Sequence, residues 1–88
     1  MKTIKDRNYS FNHTKQRLQE RYDIDDLTMK QYDHMCDKIL QRRNAIMVEE
    51  EYQDGDTQII YDLEFVHRDP IRVVWSEKRQ RITTVLER

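Results

Sequence analysis

The residues best suited to chemistry stand four apart near the amino terminus: His13, Arg17 and Arg21, within Asn12-His13-Thr14-Lys15-Gln16-Arg17-Leu18-Gln19-Glu20-Arg21-Tyr22. On a helix that spacing sets all three on one side. An imidazole titrates near neutral pH and can move a proton, while a guanidinium stays charged and offers a fixed fork of donors to a phosphate. Together they suit metal-free work on a phosphodiester. A base takes the ribose 2′-hydroxyl proton, cations hold the phosphorane, and an acid protonates the leaving oxygen. The same spacing also describes an ordinary solvated face, on which His13 caps or decorates the helix and the arginines pair with Glu20 or Asp25. At about 100° per residue, His13 lies nearly opposite Phe11 and Tyr22, and Arg21 lies nearest the apolar edge.

Other chemistry finds little support. His13, His34 and His67 stand on three separate elements without a close-spaced ligand pair, so no metal is implied. Gly55 is the only glycine, which leaves no glycine-rich phosphate loop and no cofactor motif. Cys36 falls within an apolar stripe and reads as a small buried hydrophobe, not a nucleophile. His34 reads as solvated, and His67 as part of a turn.

The elements that must position these groups follow from pattern and charge. Eighty-eight residues make one domain with a small core, 36% hydrophobic and 38% charged. The net charge of -1 conceals segregation: six Lys/Arg against two acids in residues 1–22, but one Arg against eight acids in residues 44–69. A broadly basic nucleic-acid binder is excluded; a local phosphate-binding surface is not. Residues 1–9 have no period and read as a flexible arm, with residues 10–88 as the domain. Ser10 or Asn12 caps a first helix through Tyr22, carrying Phe11, Leu18 and Tyr22 as its apolar stripe. Asp26 or Thr28 caps a second, through about Arg42, with Tyr32, Met35, Cys36, Ile39 and Leu40 at helical spacing.

After Asn44 the period becomes two. Asp54-Gly55 marks a two-residue hairpin and sets Ile46 opposite Leu63, Val48 opposite Tyr61 and Glu50 opposite Ile59. A turn at Arg68-Asp69-Pro70 sets His67 opposite Ile71, Phe65 opposite Val73 and Leu63 opposite Trp75. A turn at Glu77-Lys78-Arg79-Gln80 sets Trp75 opposite Ile82, Val73 opposite Thr84 and Ile71 opposite Leu86. These registers agree in placing Ile46, Val48, Ile59, Tyr61, Leu63, Phe65, Ile71, Val73, Trp75, Ile82 and Leu86 on one face. The predicted fold class is α+β, with two N-terminal helices packed on one face of a four-stranded antiparallel meander. Thr84, polar on that apolar face, could bring a hydroxyl near the first helix.

Two helices before a four-strand meander, with His13-Thr14-Lys15-Gln16-Arg17-Leu18-Gln19-Glu20-Arg21 opening and Ile82-Thr83-Thr84-Val85 closing the chain, resemble a known class. It is the small toxin-related domains of the barnase, EndoU, colicin and RelE type, whose compact members open with His-Ala-x-x-Arg-x-x-Glu-Arg. Thr14 stands where those members carry Ala. The resemblance implies a metal-independent endoribonuclease with His13, Arg17, Arg21 and Thr84 as catalytic residues. Lys15, Arg17, Lys78, Arg79 and Arg81 would then contact RNA.

A second class of function needs no catalysis. Glu49, Glu50 and Glu51, with Asp54 and Asp56, cluster about the first hairpin and could hold a basic protein partner, as a small inhibitor or regulator does. Lys78, Arg79 and Arg81 would form a basic pole at the opposite hairpin. The less defended last strand suggests a homodimer through strand addition. Without a long apolar run or a signal peptide, the expected setting is cytoplasmic and off the membrane.

Overall fold

The switch from helical to alternating period after Asn44 is where the structure changes layer. The computed structural model describes residues 4–88, with side chains from residue 7 onward. The elements are α1 (Ile4–Tyr22), α2 (Met29–Leu40), β1 (Ala45–Gln53), β2 (Asp56–Leu63), β3 (Ile71–Ser76) and β4 (Arg81–Leu86). The strands form one antiparallel sheet in the order β1-β2-β3-β4, the expected two-layer α+β meander.

α1 starts well before the expected cap. Residues 4–9 are helical, which corrects the flexible arm, and residues 1–3 lie outside the described residues. Ser10 and Asn12 are therefore interior positions, Ser10 buried and Asn12 exposed. The buried line of α1 is Ser10, Thr14 and Leu18, each 1% exposed or less. Two of the three are small and polar, so a search for large apolar residues misses the first turns. Their size lets the helix lie close on β4. Arg7, from the segment read as an arm, pairs with Asp33 of α2.

α2 opens on Thr28, whose hydroxyl accepts from the Gln31 amide while the Gln31 side chain accepts from the Thr28 amide. It closes at Leu40, not Arg42, because Arg42 turns left-handed at φ 54. The Arg43 amide then returns to the Lys38 carbonyl and the Arg42 amide to Ile39, satisfying two orphan carbonyls. Tyr32, Met35, Cys36 and Ile39 are buried against the sheet.

The sheet departs from the expected registers in three instructive ways. Asp54 and Gly55 adopt φ 52 and 75, as a two-residue hairpin turn requires, and Glu50 pairs with Ile59. A bulge at Val48 then shifts the ladder by one, so that Met47 meets Tyr61, Ile46 meets Asp62 and Ala45 meets Leu63. Ile46 and Val48, expected in the core, are 53% and 44% exposed. Between β2 and β3 the connection spans residues 64–70, so Leu63 pairs with Ile71, Tyr61 with Val73 and Ile59 with Trp75. This four-residue shift is even, and the expected core face survives it. Phe65 leaves the strand and packs at the core margin, with the Lys38 ammonium 4.9 Å from its ring centroid. Between β3 and β4, Trp75 does meet Ile82, but Thr83 is an extra residue. Val73 therefore pairs with Val85, Val74 with Thr84 and Arg72 with Leu86. Val85 takes the core place expected of Leu86.

Two carbonyls on the outer side of β4 are taken by helix side chains. The Tyr32 hydroxyl donates to the Ile82 carbonyl and the Arg21 guanidinium to the Val85 carbonyl. The Tyr22 hydroxyl bridges the ends of β4 and β3 instead, donating to the Leu86 carbonyl at 2.7 Å and accepting from the Arg72 amide at 3.0 Å. The bonds from Tyr32 and Arg21 occupy carbonyls that the homodimer expected through this last strand would need. The edge left open is β1.

Across the face away from the helices, Arg72 donates twice to Asp62, at 2.8 and 3.1 Å, and Arg88 stands 3.7 Å off. Hydrogen bonding from Arg72 holds the Asp62 carboxyl below its ordinary range, against burial, which raises it. A lowered folded-state value stabilises the protein above the unfolded pKa, about 3.9, and that contribution disappears as pH falls through the folded value. Arg72→Met should therefore be less stable than wild type at pH 6. The difference should shrink steadily below about pH 4 in urea unfolding series; a constant difference would remove the ion pair as its source.

Candidate functional site

The catalytic set expected on α1 is distributed among separate partners. His13 is half-buried and stacks on Tyr9 one turn earlier, with ring centroids 6.2 Å apart and planes 7° from parallel. Arg17 donates to Glu20 at 2.7 Å, and Gln16 donates to the same carboxylate at 3.1 Å. The bond from Arg17, then that from Gln16, draws the Glu20 carboxyl below its ordinary range. Arg21 is spent on the Val85 carbonyl. Lys15 is exposed, 6.0 Å from the Phe11 centroid. Thr84 pairs with Val74, which alternates with the core residues Val73 and Trp75, so Thr84 belongs to the face turned away from the helices. The expectation that its hydroxyl approaches α1 is corrected, and the physical cause is the extra residue at Thr83.

The two charged hairpins meet instead of forming opposite poles. A meander returns its first and third turns to the same end, and Asp56 spans them. Its carboxylate accepts from the Ser76 hydroxyl and, at 2.9 Å, from the Lys78 amide. Burial raises the Asp56 carboxyl, but those two bonds and the charges of Lys78 and Arg79 outweigh it, leaving the group below its ordinary range. Ser76 also accepts from the Arg79 amide at 3.0 Å. Asp54, Asp56, Lys78 and Arg79 thus share the rim of one concave place of about 380 Å³ with mixed charge. The basic hairpin expected to hold RNA is partly neutralised by the acidic one, and Arg81 is half-buried beside it.

Cys36 is buried, as its stripe position predicts. Burial pushes its thiol up to about 11, against the Ile82 backbone and the Tyr32 side chain, which lower it. Protonated and enclosed, it is no nucleophile at neutral pH. His34 and His67 are both exposed.

What remains is β1. It has a neighbour on one side only, and its burial falls from half-buried Ala45 to exposed through Gln53. Ile46, Met47, Val48 and Tyr52 are 53%, 54%, 44% and 75% exposed. Glu49, Glu50 and Glu51 follow directly, and among the described residues no salt bridge engages them. Pairing places Ile46, Glu49 and Glu51 on the outer face, and Met47, Glu50 and Tyr52 on the helix side. α2 stops short of covering that helix side. A groove of about 360 Å³ remains, floored by Ala45, Met47 and Ile59 and rimmed by Arg42, Glu50 and Glu77. Burial, and then the charge of Glu77, raise the Tyr61 hydroxyl in its wall above the ordinary value.

Sequence reasoning found the acids of this surface but assigned two of its apolar residues, Ile46 and Val48, to the core. A usable signal was present: Ile46-Met47-Val48 breaks strict alternation, as a bulged edge does and a half-buried strand does not. Among the described residues no helix is long and apolar enough to cross a membrane. Comparison of the chain with protein-family models, curated proteins and solved structures returns no match.

Proposed function

We propose that this domain is a non-catalytic binding module that holds a basic protein partner along β1 and acts by occluding it. The observation that carries this reading is the pairing state of the two candidate surfaces. His13, Arg17 and Arg21 each have their own neighbour, and Thr84 faces elsewhere. β1 keeps an unpaired backbone edge, exposed apolar side chains and three carboxylates without a counter-ion among the described residues. Apolar contact supplies binding free energy, and the carboxylates favour a basic partner over an acidic one. A bulge and a charge run also protect an edge strand from pairing with copies of itself. The two roles are compatible, since a charge that repels like charge attracts its opposite.

The test is an NMR titration of isotope-labelled protein, at low salt, with an eight-residue lysine peptide and separately with an eight-residue uridine RNA. The lysine peptide should move the amide signals of β1, with affinity falling as salt rises toward 0.15 M, where screening acts over about 8 Å. The RNA should move none. Binding of RNA at α1, with cleavage that His13→Ala slows by roughly 10²–10⁴, would replace this reading with the endoribonuclease one.

A further inference from the structure

β1 is divided along its length. Residues 45–48 are Ala, Ile, Met and Val, and residues 49–51 are three glutamates, all on a strand with an open side. We infer that the partner presents an extended segment in two halves, basic then apolar in chain order, which joins the sheet antiparallel to β1 as a fifth strand. This rests on the reading of β1 as the binding surface and adds the partner's chemistry, direction and mode.

Direction follows from the division. In an antiparallel pair the amino-terminal half of the added segment lies beside the carboxyl-terminal half of β1. Basic residues therefore come first, opposite Glu51, Glu50 and Glu49, and apolar residues follow, opposite Val48, Met47 and Ile46. The existing sheet is antiparallel throughout, and antiparallel ladders are slightly the more stable per residue. Cross-strand pairs of opposite charge and of apolar residues are what give such a ladder its selectivity. Because Glu49 and Glu51 share the outer face while Glu50 lies on the helix side, the basic half needs cations on both of its faces.

A second copy of this chain is a poorer occupant. A two-fold pairing centred on the glutamates sets carboxylate against carboxylate. One centred on Ile46 matches the apolar halves but is limited to the few residues from Ala45. The chain before them turns away, with Arg42 and Asn44 at φ 54 and 56.

The experiment uses the capped peptide Arg-Lys-Arg-Val-Ile-Val and its reversal, Val-Ile-Val-Arg-Lys-Arg. Affinity is read by fluorescence anisotropy and the site by amide shifts. The forward peptide should bind at β1, the reversal about tenfold more weakly, and the E49K/E51K protein about tenfold more weakly than wild type. Two further forward peptides carry backbone N-methyl groups on alternate residues, in opposite phase. Strand addition requires that one phase abolish binding and the other retain it, since only alternate amides face β1. Equal binding by both phases, or by both sequence orders, would overturn the fifth-strand mode while leaving β1 as the protein-binding surface. No response at β1 to either these peptides or the lysine peptide would overturn both. A β1-paired dimer that excludes the peptide would assign the edge to a second copy and overturn the proposed partner.

Discussion

Replacing Trp75 by alanine should destabilise the domain by about 3–5 kcal/mol, within the usual range for removing a large buried aromatic. Trp75 is 2% exposed on the helix-facing side of β3, paired with Ile59 on one flank and Ile82 on the other. Its indole N–H reaches the Glu77 carboxylate at 3.0 Å, so its polar end is satisfied near the surface while its rings fill the core. A small domain has a total stability of about 5–15 kcal/mol, so this variant is expected to be marginal. Trp75→Phe keeps most of the packing and loses the hydrogen bond, and should remain folded with a loss nearer 1–3 kcal/mol. Urea unfolding measures both. A change within about 0.5 kcal/mol for the alanine variant would place Trp75 outside the core and contradict the arrangement of the layers.

Tyr32→Phe should produce the second large effect, about 1–3 kcal/mol from the loss of a single oxygen. Tyr32 is 1% exposed, and its hydroxyl donates to the carbonyl of Ile82, itself fully buried. Without that donor the carbonyl is left unsatisfied away from water, which costs more than the bond contributes. Burial, and then the neighbouring Cys36, raise the Tyr32 hydroxyl well above its ordinary value, so in the folded state it stays a donor. The sign for alkaline conditions follows. A raised folded-state value gives stability that is complete below the unfolded pKa, about 10, and is lost as pH rises beyond it. The phenylalanine variant should lose less stability than wild type between about pH 9 and 11. Equal stability of the two proteins at neutral pH would mean that water or another donor satisfies Ile82.

Much of the fold was legible in residue order because several local signals agreed. The capping pair Thr28 and Gln31, the Asp54-Gly55 turn and the alternation through Ile59, Leu63, Ile71, Val73 and Trp75 each act locally. What escaped depends on single extra residues. Val48 and Thr83 are bulges, and nothing in an alternating pattern says which residue will be left unpaired. One bulge exposed Ile46, and the other carried Thr84 to the far face. The start of α1 escaped for a different reason: Ser10 and Thr14 line its buried side, and small polar residues give no hydrophobic period. For the candidate site, residue type alone gave the acids of β1 and the cations of α1. The pairing of Arg17 with Glu20 is local and was among the readings of the helix, whereas the engagement of Arg21 by Val85 and of Asp56 by Ser76 depended on the fold.

Amide hydrogen exchange of β1, with and without the Arg-Lys-Arg-Val-Ile-Val peptide, tests the central claim most directly. In the free protein, the amides of β1 that alternate with the β2-bonded ones on each side of the Val48 bulge face the open side and should exchange rapidly, while those bonded to β2 exchange slowly. Saturation with the peptide should slow the fast set selectively and leave α1 unchanged. Exchange at β1 that is indifferent to the peptide, with protection gained on α1 when single-stranded RNA is added, would contradict the account and return the function to His13 and its neighbouring arginines.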